Sequence, residues 1–79
     1  MPHFVYIVEC CDTTLYTGIA LDVKKRLHAH NHLTSGAKYT KTRRPVKLIY
    51  KEKYKTLREA MQREYAIKQF SRKKKLLLI

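Results

Sequence analysis

Glu64 stands among Leu57, Ala60, Met61, Ile67 and Lys68, positions that recur along one stripe of a helix. A carboxylate on an inward stripe is costly unless it is paired or holds a metal ion, so a structural ion pair and a metal ligand are both open readings. Arg26 and His30 stand four positions apart, which makes them neighbours on a helix surface. An arginine offers a planar fork to phosphate, and a histidine can exchange a proton near neutral pH. A snorkelling arginine beside an ordinary surface histidine is the plainer alternative. Tyr6 and Tyr16 lie in two strand-like segments joined by a turn, where antiparallel pairing brings rings to one face. Core packing uses tyrosine in strands in the same way.

The elements that must position these residues are legible from local rules. Phe4–Cys10 is rich in aromatic and β-branched residues and reads as a strand, with Phe4, Tyr6, Val8 and Cys10 on one face. Asp12-Thr13 supplies a turn, and Leu15–Ile19 a second strand, so a hairpin is expected. Gly18 inside that strand marks either a bulge, a close approach by other atoms or a plain strand end. Asp22 is placed to cap a helix whose Val23, Leu27 and His30 share a face and which ends near Asn31. Residues 31–45 read as a polar loop with Lys38, Lys41, Arg43 and Arg44, and Tyr39 interleaved among the charges suits a phosphate-tracking surface with a stacking ring. Val46–Tyr54 is a third strand, with Val46, Leu48 and Tyr50 alternating against Lys47, Ile49 and Lys51. Thr56-Leu57-Arg58-Glu59 is a capping box opening a helix to about Phe70, and Ser71 caps a last short helix whose Leu76–Ile79 are expected to pack inward. The order β-β-α-β-α-(α) gives an α+β fold, a three-stranded antiparallel sheet flanked by helices.

Composition bounds the partner. Of 79 residues, 18 are Lys or Arg and 6 are Asp or Glu, a net charge of +12. Like charges at that density repel, so a polyanion such as nucleic acid is the expected partner. A chain this short fits a single domain over residues 1–79 with a modest core, and its site is expected on an open face. No apolar run is long enough to span a bilayer and no secretory signal is visible, so a cytoplasmic protein without a membrane role is expected. Cys10 and Cys11 are adjacent, which suits neither a useful disulfide nor a zinc site, and reduced thiols are expected.

In order and spacing the residues resemble the GIY-YIG nuclease family, over nearly the whole chain and closest to its small stand-alone bacterial members. Val5-Tyr6-Ile7 stands at the first signature and Tyr16-Thr17-Gly18 at the second. Arg26, His30, Gly36-Ala37-Lys38-Tyr39-Thr40, Arg43-Arg44-Pro45, Glu64 and Lys68 follow in the family's order. Phe4 stands where the first signature has its leading glycine, and Thr17 where the second has isoleucine; neither change removes a candidate catalytic side chain.

The resemblance implies a metal-dependent endonuclease that hydrolyses a phosphodiester, with DNA the expected substrate. Glu64 would be the sole protein ligand of a magnesium or manganese ion. Tyr6 would deprotonate or position the attacking water, its phenolate favoured by nearby cations such as Arg26. Arg26 would hold the phosphoryl oxygens, Tyr16 would orient water or phosphate, and His30 would relay the proton. Gly18 would have a structural role, and Lys38, Tyr39, Lys41, Arg43, Arg44 and Lys68 would contact nucleic acid. The alternatives are a basic nucleic-acid-binding module of the same fold without strong catalysis, and a basic piece that docks on an acidic protein. A homodimer is neither demanded nor excluded.

Overall fold

A computed structural model describes residues 1–79. The chain runs β1 (His3–Glu9), β2 (Leu15–Ala20), α1 (Val23–His32), α2 (Lys38–Lys41), β3 (Lys47–Tyr54), α3 (Leu57–Lys68) and α4 (Arg72–Leu76). The sheet order is β2-β1-β3, and both pairings are antiparallel. The expected α+β architecture is therefore present. The polar segment expected as a loop contains α2, a short helix that the sequence reading missed.

β1 is the middle strand because both its faces are apolar. Val5, Tyr6, Ile7 and Val8 are all buried. Tyr6 and Val8 pack with Val23 and Leu27 of α1 and with Val46. Val5 and Ile7 pack with Ala60 and Ile67 of α3. Each fully buried side chain of this size contributes about 1.5–3 kcal/mol. The sheet thus lies between α1 on one side and α3 on the other. β3 is an edge strand, and its exposed Lys47, Lys51 and Lys53 discourage pairing with another chain.

The alternation expected for β3 breaks at a bulge. Ile7 pairs with Tyr50 but Val8 pairs with Leu48, so Ile49 is the extra residue. The bulge leaves Val46 and Leu48 on the α1 side and turns Tyr50 toward α3. There Tyr50 joins a polar knot. Arg63 of α3 donates to Glu52 of β3 through Nε at 2.9 Å and Nη2 at 3.0 Å. Tyr54 donates to the same carboxylate at 2.7 Å, and so does the Tyr50 hydroxyl. Burial alone would raise the Glu52 pKa, but the hydrogen bonds from Arg63, Tyr50 and Tyr54 outweigh it and bring it down to about 2.

Three helix starts are capped as their sequences indicate. Asp22, Thr56 and Ser71 accept from the amides of Lys25, Glu59 and Lys74. The capping box is modified, because the Glu59 carboxylate accepts from the Thr56 hydroxyl at 3.0 Å instead of reaching the backbone. Two expectations about apolar faces are overturned. The buried stripe of α3 runs through Ala60 and Ile67, which leaves Leu57 and Met61 about half exposed beside Tyr65. In the tail only Leu78 packs on the core, while Leu77 and Ile79 are exposed. Cys10 is buried, Cys11 is exposed, and both are free.

Thr17 faces the α3 side opposite Ile7, and its hydroxyl is buried without a hydrogen-bond partner. An unsatisfied buried hydroxyl costs about 1–3 kcal/mol, whereas valine has the same shape and no such debt. Thr17→Val should therefore raise stability by about 1 kcal/mol, seen as a higher denaturant midpoint at unchanged slope. A lower midpoint would show that the hydroxyl is serving the fold.

Candidate active site

With Val23 and Leu27 locked against Tyr6 and Val8, the rotation of α1 carries His30 fully inward. Its Nε2 lies 2.6 Å from the Tyr6 hydroxyl and its Nδ1 lies 2.9 Å from the Thr40 hydroxyl. Thr40, also fully buried, donates to the Ala37 carbonyl at 2.9 Å. His30, expected on the face of α1 that carries Val23 and Leu27, is thus the buried centre of a polar chain joining β1, α1 and α2, and not the ordinary surface histidine of the plainer alternative.

Two glycines make this convergence possible. Gly18 pairs with Tyr6 across the hairpin, and the phenol ring lies over it. A Cβ at position 18 would stand 2.5 Å from Tyr6 Cζ and closer still to the hydroxyl. Gly36, just before α2, is packed against α1. A Cβ there would meet the Ala29 carbonyl oxygen at 2.5 Å and His30 Cα at 3.0 Å. The segment that delivers Thr40 to His30 needs that close approach.

Tyr16 lies beside the same centre. Its ring stands edge-on to His30 at 5.4 Å and 69°, and stacks with Tyr39 at 5.8 Å and 24°. The Arg43 guanidinium lies 4.0 Å from the Tyr39 ring centroid. Arg43 is held there by Asp12 at 3.1 Å and by the Tyr39 carbonyl at 2.8 Å. Arg26 donates to the Ser35 carbonyl at 3.0 Å at the rim.

The electrostatics correct one expectation. Burial pushes the Tyr6 pKa up to about 12; Arg26 pulls it back, while Tyr16 and Glu64 add to the rise. The cations therefore do not make Tyr6 a phenolate. His30 is held down at about 4 by burial and by the charges of Arg26 and Arg44. At neutral pH the pair is a phenol hydrogen-bonded to a neutral imidazole.

Glu64 lies on α3, which packs on the opposite face of the sheet from α1. It is half-buried on α3, paired with Lys68 Nζ at 3.5 Å, and its charge is felt at Tyr6. Nowhere does the chain gather three or more His, Cys, Asp or Glu side chains that could hold a metal ion. A lone carboxylate with one loose lysine partner fits a hard divalent ion that keeps most of its waters, and not a fully protein-ligated transition metal.

The structure moves one residue out of the expected nucleic-acid surface. Arg44 is turned inward, donating to the carbonyls of His30, Leu33 and Ala29. Its charge complements the C-terminal end of α1, where the Ala29 and Leu33 carbonyls also accept the amides of Leu33 and Gly36. Lys38 and Lys41 remain exposed, and Tyr39 is 39% exposed. Thr40 and Gly36 were visible only as members of a motif, and nothing in their types announced a role. No helix is long and apolar enough to cross a membrane.

The profile of the GIY-YIG catalytic domain matches residues 2–76. A UPF0213 protein of Staphylococcus aureus (strain Mu3) is 60% identical over 77 residues, 98% of this chain and 93% of its own length. A UPF0213 protein of Staphylococcus saprophyticus is 58% identical over the same shares. The solution NMR structure of UPF0213 protein BH0048 from Bacillus halodurans is 44% identical with a TM-score of 0.62, covering 99% of this chain and 82% of that one. That of protein EF2693 from E. faecalis is 39% identical with a TM-score of 0.65, covering 95% and 79%. With the family's domain running through it from residue 2 to residue 76, the chain belongs to the GIY-YIG family.

Proposed function

We propose that this protein is a metal-dependent endonuclease that hydrolyses a phosphodiester of DNA. The observation that carries the reading is the gathering of Tyr6, Tyr16, Arg26 and His30, with the Glu64 charge acting on Tyr6. Glu64 would hold magnesium or manganese, which when bound supplies positive charge to the phosphate and the leaving oxygen.

The chain's own residues divide the remaining work. Tyr6 accepts a hydrogen bond from the attacking water while its own hydrogen rests on His30. Complete transfer of that hydrogen is uphill, because burial holds the phenol pKa up at about 12 and the imidazole pKa down at about 4. His30 therefore acts first by aiming the Tyr6 oxygen, and takes the phenol hydrogen on Nε2 only as the water's proton passes to that oxygen. Arg26, fixed at the rim, pairs with the phosphoryl oxygens as their charge grows. Tyr16 walls the site and orients the phosphate. Lys38, Lys41, Arg43 and Lys68 attract the backbone, and Tyr39 offers an aromatic edge to a base.

Cleavage of labelled single-stranded, duplex and branched DNA tests the reading. Wild type should cut only with magnesium or manganese, chelator should stop it, and Glu64→Gln should lose about a hundredfold or more. Salt-sensitive binding without cutting on any substrate would replace the enzyme by a nucleic-acid-binding module of the same fold.

A further inference from the structure

We infer that Thr40 is a positioning residue that fixes the tautomer of His30 and thereby aims the lone pairs of the Tyr6 oxygen at the substrate side. The inference follows from counting hydrogens. A threonine hydroxyl has one hydrogen to donate. The Ala37 carbonyl oxygen, 2.9 Å away, has none, and two bare oxygens at that distance repel. The Ala37 carbonyl is itself held in place by the amides of Thr40 at 3.0 Å and Lys41 at 3.2 Å. The hydroxyl hydrogen therefore lies toward Ala37, and Thr40 can only accept from His30 Nδ1 at 2.9 Å.

The rest of the chain is then determined. A neutral imidazole protonated at Nδ1 is bare at Nε2, so Nε2 accepts from the Tyr6 hydroxyl at 2.6 Å. With its hydrogen committed inward, the Tyr6 oxygen presents only lone pairs outward. The opposite tautomer would donate from Nε2, and Tyr6 would turn its own hydrogen toward the substrate. A hydrogen there offers an attacking water the wrong pole. One carbonyl of the segment before α2 thus sets the polarity of a phenol on β1. Both links are fully buried, so solvent does not scramble them.

The activity consequence rests on the nuclease reading of Tyr6, whereas the tautomer consequence does not. The test uses the 15N-labelled full chain as wild type, Thr40→Val and Thr40→Ser. Long-range 15N–1H correlation at neutral pH reports which ring nitrogen of His30 carries the hydrogen, and DNA cleavage is followed in parallel. Wild type and Thr40→Ser should show hydrogen on Nδ1. Thr40→Val, the same shape without an acceptor, should move hydrogen to Nε2 and lower kcat about tenfold or more with KM nearly unchanged. A wild-type His30 protonated at Nε2 overturns the inference whether or not any variant folds. So does a Thr40→Val protein that keeps the wild-type tautomer. If wild type cuts nothing, the enzyme reading fails while the tautomer result still decides the role of Thr40.

Discussion

Gly18→Ala is expected to lower stability by about 2–3 kcal/mol and to reduce cleavage at least as far as removal of the Glu64 carboxylate. Two effects oppose each other. Alanine restricts the unfolded chain and is better tolerated in a strand, which favours the variant by about 0.5–1 kcal/mol. Against that, its methyl would enter the Tyr6 ring, with Cζ at 2.5 Å. Overpacking of this kind costs about 1–3 kcal/mol, and more where the neighbour has no room to move. Tyr6 has little room, since its ring is 2% exposed and its hydroxyl is bonded to His30. Moving the ring breaks that bond and leaves a buried imidazole nitrogen without a donor. A double-mutant cycle separates this account from a general weakness of β2. In the Tyr6→Phe background the oxygen nearest the new methyl is gone, so Gly18→Ala should cost about 1 kcal/mol less there. Equal costs in both backgrounds would defeat the explanation.

Acid should unfold the protein in two legs that belong to different residues. His30 ordinarily titrates near 6.5 and does so near 4 in the fold. Its depressed value means the unfolded chain binds the proton first, so stability is complete above 6.5 and is lost as pH falls toward 4. The span corresponds to about 3 kcal/mol. Glu52 moves from 4.5 to about 2, which places its contribution above 4.5 and its loss between 4.5 and about 2. Partial exposure of Arg63 reduces that second leg to about 2 kcal/mol. Urea titrations from neutral pH to pH 2 measure both. His30→Gln should flatten the upper leg and Glu52→Gln the lower. A stability profile that stays level from neutrality to pH 4 would mean His30 is not buried as a neutral ring.

What the sequence revealed follows the range of the forces involved. The β1–β2 hairpin and the capped starts of α1, α3 and α4 rest on residues within a few positions of one another, and each formed where its residues indicate. The faces of β1 were legible because a strand alternates. Errors appeared where a partner far along the chain decides. Leu57 and Met61 look as apolar as Ala60, but only the sheet fixes which side of α3 is covered. Tyr50 changed faces through a bulge that no local pattern announces. Arg44 is of the same type and charge as its neighbour Arg43, yet carbonyls at the C-terminal end of α1 hold it inward. Thr40 gains its part from a histidine ten positions away. Among the candidate site residues, the types and their order were readable, but the wiring between them was not.

The placement of Glu64 has a consequence for the newly made chain. Tyr6, Tyr16, Arg26, His30 and Thr40 all lie before β3, whereas the carboxylate comes from α3 on the far side of the sheet. α3 has nothing to pack on until the hairpin exists, and its knot to Glu52 requires β3 beside β1. As the chain leaves the ribosome, phenols, imidazole and guanidinium emerge well ahead of the group proposed to hold the metal. A stalled or half-folded copy would carry its positive charge to nucleic acid but arrive without the means to cut it.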